Sequence, residues 1–339
     1  MSYGAFDLVV VGGGITGAAA ARDAALRGLS TALFEKGDFS SGTTAKTSRL
    51  IHGGLRYLEG FHVGLVRECL GERDWVFARL SHLLKAIPIL LPVYRGDSRG
   101  MTMVWAGMKI YDLLARRKAT PHYGTVSAGD AMRRAPGIRR EGLLGAAVFY
   151  DYQLLIPERL VVENLLSAAG AGARVCNHAE IEAVSFGDGL FHLFLRDRVA
   201  GGGERVSARV VINATGPWAD RMRRLAGLPG EILSPTKGAH IVLPADVSHA
   251  LFAASPADHR LLFLLPLDGR LLVGTTDTPF DLDPGTAEPS PEDIAYLLEG
   301  ASRVLPGTSL SAAAPLYAYA GVRPLLKASG PAGSHTSRE

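Results

Sequence analysis

Residues 12–17 read Gly-Gly-Gly-Ile-Thr-Gly, a G-x-G-x-x-G spacing whose chemistry is anion binding. Gly12 permits a tight turn, Gly14 lets bare backbone approach a pyrophosphate, and Gly17 lets a helix pack closely on a sheet. Gly13, Ile15 and Thr16 complete the turn at the start of that helix, where unpaired N–H groups and the helix dipole favour phosphate. Glu35 follows at the end of the next apolar run, with Lys36 after it. A carboxylate there takes a ribose 2′-hydroxyl and repels a 2′-phosphate. The bland reading of the same residues is a tight turn in an ordinary βαβ unit.

Two further stretches carry unusual combinations. Residues 210–220, VVINATGPWAD, run from a strand into Ala214-Thr215-Gly216, a small-residue turn that can press backbone against a nucleotide. Its late position favours a flavin over a nicotinamide dinucleotide, because two-domain glycine-rich flavoproteins return a strand to the first sheet there. Residues 48–59, SRLIHGGLRYLE, set Arg49, His52 and Arg56 around Gly53-Gly54. A plain helix has no use for the glycines, and a plain strand has little use for the charge.

Composition narrows the class. The chain has 339 residues, 47% hydrophobic and 20% charged, with a net charge of +3. It is therefore globular and long enough for two domains. The small net charge makes no case for nucleic acid and suits an anionic small ligand. Cys69 and Cys176 lie far apart without CxxC spacing, so neither a disulfide framework nor a metal site is expected, and a reducing compartment is. The N-terminal residues lack a secretory pattern, and no stretch approaches 18 uncharged apolar residues. The expectation is a cytoplasmic protein or one on a membrane surface.

The elements that must position these residues are legible in outline. FDLVVV predicts a buried parallel strand, ITGAAAARDAALRG a helix stopping at Gly28, and STALFEK a second strand. Residues 61–85 predict an amphipathic helix of the first domain, AIPILLPVY a strand bounded by prolines, and 101–118 an apolar helix with a basic end. AEIEAVSF-GDG-LFHLFLRD and RLLFLLPL-DG-RLLVGTT predict hairpins. The fold class is thus α/β, a Rossmann-like dinucleotide domain with an antiparallel α+β substrate domain. The expected division is 1–90 and 146–225 for the nucleotide domain, 91–145 and 226–320 for the substrate domain, and 321–339 for a return to the first domain.

DLVVVGGGITGAAAARDAALRG, LFEKGDFSSGTTAKTSRLIHGGLRYLE, VVINATGPWAD, PTKGAHIVLP, LLVGTTDTPFDLDPG and AGVRPLL together resemble the FAD-dependent glycerol-3-phosphate dehydrogenases of the D-amino-acid-oxidase-like superfamily. The resemblance implies FAD, oxidation of sn-glycerol 3-phosphate to dihydroxyacetone phosphate, and electrons passed to a quinone at the inner face of the cell membrane. It places Gly53-Gly54 and His52 against the flavin, and Ser41-Gly42-Thr43-Thr44 and Ser48 around its phosphate and ribitol. It makes Arg56, Tyr57, Arg323 and Arg338 substrate-binding residues and His240, with an ordinary pKa near 6.5, the base at the C2 hydroxyl. Without it, His240 reads as a structural histidine and each arginine as a surface or ion-paired one. A homodimer is the expected assembly. Family members continue into a Gly-Gly-Lys and Thr-Thr segment that returns to the flavin, so a chain ending at Glu339 is expected to be truncated. Two alternatives stay open: an amine or amino-acid oxidase of the same superfamily, and an inactive fragment with an incomplete FAD site.

Overall fold

The structure, a computed structural model, describes residues 5–58, 60–115, 120–255, 258, 260–310 and 313–327. Strand β1 (Phe6–Val11) buries Val9 and Val10 completely, as an apolar run with strands on both sides must. The chain turns at Gly12 with φ +114° into helix α1 (Ile15–Leu26), whose buried residues are Gly17 and four alanines. Strand β2 (Thr31–Phe34) returns parallel to β1, completing the expected βαβ unit.

The chain then leaves for a second sheet. Strand β3 (Leu50–Ile51), helix α2 (Val63–Leu80), strand β4 (Leu84–Tyr94), helix α3 (Met101–Leu114), strand β5 (Gly124–Ser127), helix α4 (Ala128–Arg134) and strand β6 (Leu143–Leu154) follow in order. Helix α5 (Pro157–Gly170) leads back to β7 (Arg174–Cys176), β8 (Ala179–Gly187), β9 (Leu190–Asp197) and β10 (Gly203–Asn213). These complete a six-stranded first sheet of order β7-β2-β1-β10-β9-β8. Its parallel part is β7, β2, β1 and β10, and the β8–β9 hairpin extends it antiparallel.

Helix α6 (Ala219–Leu225) precedes β11 (Thr236–Leu243), β12 (Ala250–Ala254), β13 (Leu261–Leu267), β14 (Arg270–Gly274) and β15 (Thr278–Pro279). Helix α7 (Pro291–Val304) and β16 (Tyr317–Arg323) come last. The second sheet runs β15-β11-β14-β13-β12-β4-β6-β3, with β16 on β11 and β5 on β6. In both expected hairpins the turn residues, Asp188-Gly189 and Asp268-Gly269, have positive φ, the two-residue turn that matches strand twist.

Three expectations change. The sheets divide the chain differently from boundaries at 90 and 145, because β3, β4 and β6 all belong to the second sheet. Helix α2 buries Val66 and Leu70 against Ile87 and Ile89 of that sheet, so it is not a helix of the first domain. Pro88 and Pro92 lie within β4. Strand β12 pairs with β4 only at Ile89 and Leu90, so both prolines fall where that edge asks for no N–H.

The carboxyl ends of β1, β2 and β10 converge where the first sheet changes direction, the place where open α/β sheets bind ligands. Their spacing depends on Gly17, where a Cβ would overlap the carbonyl oxygen of Gly12. Gly71 on the exposed side of α2 has nothing nearby. Gly17→Ala should therefore lower the unfolding free energy in urea by about 1–3 kcal/mol. Gly71→Ala should leave it unchanged or raise it by up to about 1 kcal/mol. Equal effects would contradict the packing described.

Candidate functional site

The converging strand ends enclose a cleft of about 330 Å³. Gly12, Gly14, Ile15 and Thr16 line it from the first turn, Glu35 and Lys36 from the end of β2, and Ala214, Thr215 and Gly216 from the end of β10. Ser41, Gly42, Thr43 and Thr44 close another side. The parallel ladder brings these distant segments together: the N–H of Ala214 donates to the Val11 carbonyl at 2.8 Å. A Cβ on Gly12 would overlap the Ala214 carbonyl, so only glycine fits at that crossing.

The helix N-terminus is left open to the cleft. Gly14, the residue before α1, makes no side-chain cap, and Thr44 Oγ1 accepts the N–H of Ile15 at 3.2 Å. A Cβ on Gly14 would meet nothing closer than Thr44 Oγ1 at 3.2 Å, so this glycine keeps its outer side clear. Gly13 and Gly17 do not line the cleft. Gly13 packs against Glu35 and Phe39 and donates its N–H to Glu35 Oε2 at 2.7 Å. Glu35 Oε1 accepts from the Gly37 N–H at 2.8 Å. Both oxygens are thereby fixed, and each retains a second lone pair for a hydroxyl.

Trp218, Glu180 and Arg221 also line the cleft, and sequence reading does not single them out. The Lys36 ammonium lies 3.7 Å from the centroid of the Trp218 ring, a cation–π contact, and burial pulls its pKa down while Asp283 opposes the shift. The nearly buried Glu180 is held by Arg198 and Arg221. Trp218 and Arg221 directly follow the Ala-Thr-Gly turn, and that adjacency was the available signal. Glu180 sits in an alternating strand and gave none.

At the cleft's other end, Thr47 and Pro324 lead to a second group on β11, β14 and β16. Ser48 Oγ lies 2.8 Å from His240 Nε2. His240 is buried and stacked on Tyr319, with centroids 4.9 Å apart and planes within 13°. Its Nδ1 has no hydrogen-bond partner among the described residues. A Cβ on Gly274 would overlap the imidazole, so that glycine makes room for it. Burial first, then the charges of Arg323 and Arg49, pushes the His240 pKa down to about 3, which corrects the ordinary value expected from sequence. Arg323 lies flat on Gly238, bonded to Asp277 Oδ1 at 3.1 Å, Thr275 Oγ1 at 2.8 Å and the Thr276 carbonyl at 3.1 Å.

His52, Gly53, Gly54 and Tyr57 are not part of the cleft wall. The structure gives the glycine pair a packing reason of its own. The space a Gly53 side chain would need is taken by Tyr111 and Leu70, and that of Gly54 by the Tyr57 ring. The Arg56 side chain lies outside the described residues, as do Arg338 and the basic end of the 101–118 segment. Among the described residues no metal-ligand cluster is found and no helix is long and apolar enough to cross a membrane.

Residues 7–337 match the family described as FAD dependent oxidoreductase. The chain belongs to this family. It is 38% identical to the glycerol-3-phosphate dehydrogenase of Synechocystis over 95% of its own length and 61% of the relative's. It is 36% identical to the alpha-glycerophosphate oxidase of Streptococcus pneumoniae over 94% and 54% of the two lengths. It thus spans little more than half the length of these curated relatives. The FAD complex of glycerol-3-phosphate dehydrogenase from Bacillus halodurans superimposes with a TM-score of 0.79 at 29% identity, covering 96% of this chain and 58% of that one.

His240 yields a prediction about acid. In the folded chain it stays neutral to about pH 3, whereas unfolded it takes a proton below about 6.5. Its contribution is thus complete above pH 6.5 and is lost as pH falls towards 3, by up to about 4 kcal/mol. Its imidazole NMR signals should stay constant from pH 8 to 4, and His240→Gln should flatten the stability curve across that window. A titration midpoint near 6.5 would contradict the burial described.

Proposed function

We propose that the cleft holds FAD and that the chain takes part in oxidising sn-glycerol 3-phosphate to dihydroxyacetone phosphate, with a quinone as electron acceptor. The observation that carries the reading is the cradle itself: an open helix N-terminus beside Gly14, a fixed carboxylate at Glu35, and the Ala214 backbone against Gly12. The N–H groups that follow Gly14 suit a pyrophosphate, Glu35 suits ribose hydroxyls, and Ser41 and Thr44 offer further donors, while the Thr43 hydroxyl donates to the Val322 carbonyl at 2.7 Å and keeps its lone pairs for a ligand. Bound there, the flavin supplies a hydride acceptor for the carbinol carbon. The relatives, a glycerol-3-phosphate dehydrogenase and an alpha-glycerophosphate oxidase, suggest the substrate class.

In this reading the protein's own groups bind, orient and take a proton. Arg323 with Arg56 and Arg338 holds the phosphate, where guanidinium pairs give geometry as well as charge. Arg323 comes to that task already oriented by Asp277 and Thr275, so little side-chain entropy remains to be lost. Tyr57 borders the substrate. His240, uncharged in the structure, accepts the C2 hydroxyl proton on a ring that Ser48 and Tyr319 keep in place. Two positive charges raise the cost of protonating it, and a dianionic phosphate beside Arg323 lowers that cost. Met103, Trp105, Ile110 and Leu113 of α3 are exposed and support contact with the membrane in which a quinone would reside.

The test is colour and turnover. The protein should take up added FAD and turn yellow, and anaerobic glycerol 3-phosphate should bleach it. Arg323→Ala should raise KM for glycerol 3-phosphate about ten- to a hundredfold. Failure to take up FAD, or bleaching by glycine or sarcosine but not by glycerol 3-phosphate, would overturn the reading.

A further inference from the structure

The turn that follows β3 is anchored from below by an ion pair that plays no part in the cleft. Strand β3 pairs with β6 at Leu50↔Gln153 and Ile51↔Tyr152, and the ladder stops there. The next residue of β6, Asp151, continues it with its side chain: Oδ1 accepts the N–H of Gly53 at 3.0 Å. The backbone is thereby released from the sheet, and Gly54, with φ +71°, turns it into the 3-10 segment Leu55–Leu58. The bond is buried.

Asp151 is charge-balanced within the core. Arg73 Nη1, from α2, donates to the same oxygen at 2.9 Å, and the two side chains are 0% and 5% exposed. The guanidinium also donates to the Tyr150 carbonyl at 2.9 Å and to Tyr123 Oη at 3.0 Å, while Asp74 takes two further N–H groups. Replacing such a pair with apolar residues is often neutral for stability, whereas leaving one charge alone is costly. The retention of both charges under one glycine amide therefore asks for a purpose beyond packing.

We propose that Asp151, balanced by Arg73, is a positioning residue that sets the Gly53–Leu58 turn and, through it, Arg56 and Tyr57. The proposal rests on the reading of the preceding subsection for what those two residues do. Its physical content is separate: one carboxylate bond decides where the chain leaves the second sheet. A one-residue slip there would carry the whole turn to a different place, since strand register allows no partial shift.

Two double variants isolate that bond. Arg73→Met with Asp151→Leu removes both charges and the acceptor, whereas Arg73→Met with Asp151→Asn removes both charges and keeps an acceptor for Gly53. We expect the first to raise KM for glycerol 3-phosphate about tenfold or more relative to the second, with similar thermal midpoints. Equal KM values in the two would overturn the proposal. Amide hydrogen exchange of the unsubstituted protein needs neither FAD nor substrate, nor any variant to fold. The Gly53 amide should exchange at least about a hundredfold more slowly than that of exposed Gly60, and equal rates would also overturn the proposal. Absence of glycerol 3-phosphate oxidation by the unsubstituted protein would instead strike the parent reading, with exchange at Gly53 still deciding the bond.

Discussion

The contact between Gly12 and the carbonyl of Ala214 organises this molecule. It exists because β10, which ends some two hundred residues after β1, pairs with it in parallel register, Val11 opposite Asn213. Long-range parallel pairing carries a loop-closure cost that many local contacts do not. What offsets it is a run of apolar residues buried on both faces and an alanine-faced helix laid close against them. Once the pairing is made, three strand ends and one helix N-terminus meet without further adjustment. A bulkier residue at position 12 would separate them.

The second sheet solves a different problem, which is how to keep charge inside a protein. Arg73 and Asp151 are both buried and satisfy one another. Lys237 and Asp293 pair across from β11 to α7, at 2.6 Å. His240 receives no counter-charge and has Arg323 and Arg49 near it, so it stays neutral. These are the two outcomes open to an ionisable group in a low-dielectric interior: to be paired, or to give up its charge. Both outcomes stand side by side in the second sheet, at His240 and at Arg323 with its partner Asp277.

How much was legible depended on the range of the interaction. The βαβ unit and both hairpins follow from local periodicity and turn chemistry, and the cleft's glycines and Glu35 come with them, whereas the late return strand follows from the pattern of two-domain glycine-rich flavoproteins. The resemblance picks out His240 and Arg323, which lie close together in the structure, but no local pattern shows that one is desolvated and the other already paired with Asp277. The resemblance sets the Gly53-Gly54 pair against a flavin, and sequence neighbours alone show no packing partner for it. Its packing against Leu70 and Tyr111 depends on helices that fold over it from later in the chain. The division between domains shifted for the same reason: α2 has the amphipathic period of a helix on either sheet, and only the partner surface decides which.

On the proposed reading, the cleft grips a dinucleotide by its adenosine diphosphate half, through the open start of α1, Glu35 and the Ala214 turn. Calorimetric competition tests it most directly. ADP should bind the chain and displace FAD from it in a simple competitive manner, whereas FMN, which lacks the adenosine half, should not. FAD binding that is undisturbed by saturating ADP, or displaced equally well by FMN, would contradict the account.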